Sequence, residues 1–124
     1  MVDIVENMLF DTIYHEHLCY HTVNPLDLFL LKHGLELIQI ERIDSKGGSI
    51  RCQAQKKGGL RPRSAYVDQL IEKEKKEGYG QLICYSQYAD AINFKKTAVL
   101  DWIKQAANSE KSFAGYGASA TVTT

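Results

Sequence analysis

Charge of one sign is the first thing missing. Fifteen Lys and Arg balance fifteen Asp and Glu over 124 residues, and a chain without a basic excess is a poor general ligand for nucleic acid. No Cys-x-x-Cys pair occurs. Cys19, Cys52 and Cys84 are odd in number and unrelated in spacing, which argues against a disulfide framework and reads as reduced core thiols of a cytosolic protein. Long apolar runs are absent too: the longest, around Leu26 to Leu31, is far too short to cross a bilayer, so no membrane role is expected. The opening Met1-Val-Asp-Ile-Val-Glu has no cationic region ahead of an apolar core, so no secretory leader is expected and the compartment reads as cytoplasm. Neither an internal repeat nor a low-complexity tract is visible. What remains is one domain, or a large part of one, with 44% apolar and 24% charged residues, enough for a single core.

The pattern that is present is mixed. Val2, Val5, Met8 and Leu9 have helical spacing, whereas the aromatic- and imidazole-rich stretch from Phe10 to His21 fits neither period. Asn24-Pro25 reads as a helix start, with Asn24 as N-cap and Pro25 at the first helical position. Leu26, Phe29, Leu30 and His33 then share a face, and Gly34 stops the helix. Residues 35–43, isoleucine-rich and short between breakers, predict a strand. Gly47-Gly48 is a turn, and residues 49–55 alternate with Ile50, Cys52 and Ala54 inward, so the pair predicts a β-hairpin. A helix is expected over 64–77, with Val67, Leu70 and Ile71 inward, Glu72 to Glu77 as its solvated end and Gly78 closing it. A longer one is expected over about 82–107, with Ile83, Ala91, Phe94, Val99, Trp102, Ile103 and Ala106 as core contacts. Residues 112–120 read as a strand entering a glycine loop. The fold class is therefore α+β, a hairpin with flanking helices. A lone hairpin is a marginal sheet, so its open edge predicts self-association.

Three features have the composition of chemistry. In Tyr14-His15-Glu16-His17, extended by Cys19, Tyr20 and His21, a histidine near neutrality can take and return a proton, a carboxylate can fix its tautomer and a phenol can donate to a developing oxyanion. The competing reading is a polar aromatic surface turn. Zinc fits less well: four residues after His15 stands Cys19, which breaks His-Glu-x-x-His, and no fourth ligand is evident, so no metal is expected. Gly115-Tyr-Gly-Ala-Ser-Ala120 approaches a phosphate-binding βα turn, but the helix such a turn requires does not follow. The cluster Arg51, Lys56, Lys57, Arg61, Arg63 could form a basic patch for a sugar diphosphate, but reads rather as a solvated strand edge and loop.

Phe10-Asp-Thr-Ile-Tyr-His-Glu-His, followed by Lys32-His-Gly-Leu-Glu, Gly47-Gly-Ser-Ile-Arg and Ala114-Gly-Tyr-Gly-Ala-Ser-Ala, resembles the SAM-dependent sugar C-methyltransferases, whose best-studied members methylate C3 of dTDP-4-keto-deoxysugars. The resemblance runs over nearly the whole chain. It implies that residues 1–57 end the SAM domain, with an active-site loop and the antiparallel hairpin that finishes a class I Rossmann-like sheet. Residues 58–111 become a helical connector and 112–124 the truncated βα start of a C-terminal α/β domain. It implies deprotonation alpha to a ketone and then methyl transfer, with His17 as base, Glu16 as its orienting or charge-stabilising partner and Tyr14 near the keto oxygen. Tyr20, Gly115, Tyr116 and Gly117 become substrate-binding residues for a nucleotide sugar. The family's zinc cysteines and glycine-rich SAM loop have no counterpart here, and Thr121-Val122 stand where Lys-Gly often follows the glycine loop. S-adenosylmethionine is thus expected in the parent enzyme and not on this chain alone, which reads as inactive by itself. Its expected partners are a second copy or a missing SAM-binding part. The alternative is a non-catalytic remnant that binds a nucleotide sugar or a partner.

Overall fold

A computed structural model describes residues 1–109 and 112–116. In chain order these form helix α1 (Val2–Glu6), a 3-10 turn (Phe10–Thr12), helix α2 (Val23–Lys32), strand β1 (Leu35–Ile43), a second 3-10 turn (Ser45–Gly47), strand β2 (Ser49–Lys56), helix α3 (Ala65–Lys76) and helix α4 (Leu82–Ala107). The architecture is α+β, with β1 and β2 forming a two-stranded antiparallel sheet. Gly34 ends α2 at φ +73° and Gly78 ends α3 at φ +79°, the left-handed stops that glycine accepts without steric cost.

The core lies where α2 and α3 cover the hairpin. Val23, Leu37, Ile40, Val67, Leu70 and Ile71 form one buried cluster, with Leu30 and Ile50 packed against it. A bulge between Leu37 and Gln39 interrupts strict alternation, so Leu37 and Ile38 are both buried. The Ile38 carbonyl accepts from Ser64 N–H at 2.8 Å. Ser64 is also the N-cap of α3, its side chain accepting from Tyr66 N–H.

Polar groups also tie this core together. Arg63 grips Asp27 with two guanidinium nitrogens at 2.7 and 2.9 Å, reaches Asp68 at 2.8 Å and donates to the Leu37 carbonyl at 2.9 Å. Its hydrogen bond to Asp27, ahead of its bond to Asp68, raises its pKa further above the ordinary guanidinium value. Glu74, six residues past Asp68 on α3, is 6% exposed. Its carboxylate accepts from Val23 N–H at 2.7 Å and Asn24 N–H at 3.0 Å.

That carboxylate corrects the expected start of α2. The N-cap is Thr22, whose side chain makes no capping bond, and Pro25 sits inside the first turn. Glu74, 51 residues away from Val23, supplies the cap, so it is not part of a solvated run. The expected inward face of α2 also changes. Val23, Asp27 and Leu30 point to the core, whereas Phe29 and His33 are exposed, their rings tilted against each other with centroids 4.5 Å apart. The Asp27–Arg63 pair draws that face in.

Other expectations fail for want of a covering layer. Cys52 and Ala54 on β2 are exposed, as is Cys19, because α2 and α3 cover the sheet mainly through β1. On α4 only Tyr88 is buried, and Ile83, Phe94, Val99, Trp102 and Ile103 are exposed. Residues 112–116 form no strand, since no strand among the described residues pairs with them; Phe113 meets the Trp102 ring edge-on at 5.9 Å instead. Arg51, Lys56, Lys57 and Arg61 are exposed as a solvated edge should be, but Arg63 belongs to the core network. Gly117 and the rest of the glycine loop lie outside the described residues. None of the described helices is long and apolar enough to cross a membrane.

Candidate functional site

The site is built by two successive turns. In the first, Thr12 Oγ1 donates to the Leu9 carbonyl at 2.8 Å and Ile13 N–H to the Phe10 carbonyl at 3.0 Å, closing the 3-10 turn. In the second, His17 N–H donates to the Tyr14 carbonyl at 3.0 Å. A four-residue turn brings its first and last residues together, so the Tyr14 and His17 rings lie 4.3 Å apart. His15 and Glu16 occupy the exposed tip, and the His15 ring meets Tyr14 edge-on at 5.9 Å.

The chain then doubles back on Thr12. Its carbonyl oxygen lies 2.8 Å from His17 Nδ1 and accepts the Tyr20 hydroxyl at 2.9 Å. A carbonyl has two lone pairs and no hydrogen, so both contacts are accepted and Nδ1 carries the proton. The neutral imidazole is thereby assigned its Nδ1–H tautomer, with the lone pair on Nε2.

Two depressions meet at this imidazole. The larger is an open groove of about 590 Å³ that Glu16, His17, Tyr20 and Cys52 help to line. The smaller includes Asp11 and Tyr14. Thr12, His17 and Lys46 line both. Tyr14, Glu16, His17 and Tyr20 are thus brought together, while Gly115 and Tyr116 are exposed and line neither.

Sequence reasoning missed Thr12 and Lys46. Thr12 acts through its main chain, which leaves no residue-type signal. Lys46 stands at the hairpin tip, which reads only as a turn, and reaches the site because the tip is tied to the N-terminal segment. Arg42 pairs with Asp3, and Asn7 Nδ2 donates to the Gly47 carbonyl at 3.4 Å. A Cβ on Gly47 (φ +81°) would stand 2.6 Å from the Leu9 side chain. Glycine takes that left-handed backbone without steric cost and leaves the Leu9 side chain where it is.

No group of three or more His, Cys, Asp or Glu among the described residues is placed to hold a metal ion. The domain family described as the C-methyltransferase C-terminal domain matches residues 44–124. The chain belongs to the C-methyltransferase family. It is also similar to the C-methyltransferase NovU of Streptomyces niveus, 27% identical over 118 residues, an alignment covering 95% of this chain and 28% of that protein. The chain thus spans less than a third of that relative's length.

The C-methyltransferase match begins at residue 44, so it takes in the hairpin tip with Lys46. Membership implies S-adenosylmethionine as the methyl donor of the parent enzyme. The described residues of this C-methyltransferase chain do not fit that donor. Their strands are antiparallel neighbours, with no strand–helix–strand crossover to present a phosphate- or nucleoside-binding turn.

Proposed function

We propose that this chain carries the proton-abstracting loop of a C-methyltransferase acting on a nucleotide-linked keto-deoxysugar, with His17 as the general base. The observation that carries this reading is the 2.8 Å contact of His17 Nδ1 with the Thr12 carbonyl. It leaves Nε2 as a proton acceptor beside a groove. Nε2 takes the proton from the carbon alpha to the ketone, the C–H electron pair enters the enolate, and the imidazole becomes a cation. Tyr14, 4.3 Å away ring to ring, directs its hydroxyl to the keto oxygen. Glu16, on the wall of the same groove, balances the imidazolium charge, while the Thr12 carbonyl does the orienting. Tyr20 offers its ring to the sugar, since its hydroxyl is committed to Thr12. The substrate role of Gly115, Tyr116 and Gly117 rests on the resemblance alone.

In this reading β1 and β2 are the antiparallel end of a class I methyltransferase sheet whose parallel strands and donor site lie elsewhere in the parent enzyme. The isolated chain is then inactive. Its free thiols suit the cytoplasm.

Exchange of the substrate's alpha proton with heavy water tests the assignment, because it isolates deprotonation from methyl transfer. In the complete enzyme carrying this segment, His17→Ala is expected to slow exchange by about 10²–10⁴ while KM moves little. His15→Ala, at the exposed tip, should exchange like the unsubstituted enzyme. Normal exchange in His17→Ala with slow exchange in His15→Ala would show that the wrong imidazole is named.

A further inference from the structure

Among the described residues Lys46 is the one lysine lining the depressions that meet at His17, and it lines both, whereas the N-terminal ammonium of Met1, which lines only the larger, is committed to the His21 carbonyl at 3.1 Å. Lys46 makes no ion pair with any described residue. The backbone that presents it is unusual. Lys46 has φ +53°, a left-handed conformation that a long side chain adopts in only a few per cent of cases. It is kept there by Gly47 against Leu9, by Asn7 on the Gly47 carbonyl and by the Arg42–Asp3 pair. Asparagine favours the same conformation more than lysine does, so the turn alone gives no reason for a lysine. Carbon deprotonation does give one, because the electron pair released from the C–H bond comes to rest on the carbonyl oxygen. A fixed positive charge beside that oxygen lowers the barrier most when it is already in place.

We infer that Lys46 is a further catalytic residue of this site: its ammonium faces the oxygen of the enolate that His17 generates, holding the charge while remaining protonated itself. This rests on the assignment of His17 as base. The C–H bond breaks, the proton goes to His17 Nε2, the electron pair goes to oxygen, and Lys46 donates a hydrogen bond to it. The cation belongs to the hairpin tip and the base to the N-terminal loop, so the site closes only when the two elements are docked.

The test uses Lys46→Asn, which suits the turn and removes the charge, and Lys46→Arg, which restores it. Both are compared with His17→Ala in the complete enzyme, with a dTDP-4-keto-deoxysugar in heavy water. Lys46→Asn is expected to keep its melting temperature and its KM while alpha-proton exchange at saturating sugar slows by about 10²–10³. Lys46→Arg should recover part of that loss. Unchanged exchange in Lys46→Asn, beside lost exchange in His17→Ala, would overturn the Lys46 assignment and leave the base in place. A raised KM with unchanged exchange at saturation would also overturn it, because the lysine would then hold a remote phosphate. Normal exchange in His17→Ala, or none in the unsubstituted enzyme, would overturn the base assignment and this inference with it.

Discussion

Glu74 does at one residue what a helix usually does for itself. Its buried carboxylate accepts from Val23 and Asn24 N–H, donors that the start of a helix leaves without intrahelical partners. Replacing it with alanine leaves those donors facing a buried space and is expected to cost about 2–3 kcal/mol. The measurement is a urea titration, with the midpoint falling and the slope unchanged. An unchanged midpoint would show that solvent caps α2 equally well. Nothing in the sequence around Glu74 marks it for this role, since it sits in the run Glu72 to Glu77 and looks like surface. Thr12 is hidden for a related reason, as a main-chain oxygen has no letter. Tyr14 and His17 were legible as reactive types, but their side-by-side placement depends on a turn that neither helical nor strand periodicity reports.

At the scale of elements, three tyrosines hold the start of α4. Tyr79 donates to Glu6 at 3.2 Å, Tyr85 donates to the Tyr79 carbonyl at 2.6 Å, and Tyr88 is buried. Burial pushes all three phenols above their ordinary range, and at Tyr79 the neighbouring Glu6 pushes the same way. The unfolded chain therefore ionises first. The stability these groups contribute is complete below the unfolded value of about 10. It is lost as pH climbs from there toward the raised folded values. Urea midpoints taken from about pH 8 to pH 11 should fall through the upper half of that range, and Tyr79→Phe should flatten the fall. A midpoint insensitive to pH would mean that α4 is not docked through these rings. The helix and the hairpin were themselves legible, because glycines and periodicity bound them. Which side of α4 finds a partner was not, since apolar residues fall on several of its faces and only packing chooses among them.

Across the whole molecule, apolar cover is uneven. The cluster under α2 and α3 is closed, whereas β2 shows Cys52 and Ala54 and α4 shows Ile83, Phe94 and Trp102 at 57%, 76% and 63% exposure. Surfaces of this kind seek partners, and a two-stranded sheet leaves edges for another strand. The isolated chain is expected to self-associate in sedimentation experiments at about tens of micromolar. A single monomeric boundary there would count against it. The α+β class was readable from the sequence because turn chemistry and period are local. The extent of the core was not, because it depends on which surfaces meet. The long-range cap of α2 has a further consequence for the order of events on the ribosome. Val23 and Asn24 emerge 51 and 50 residues ahead of Glu74, and a ten-residue helix is marginal by itself. The front of the chain, loop and imidazole included, therefore waits during synthesis for α3 to appear, and both halves settle together.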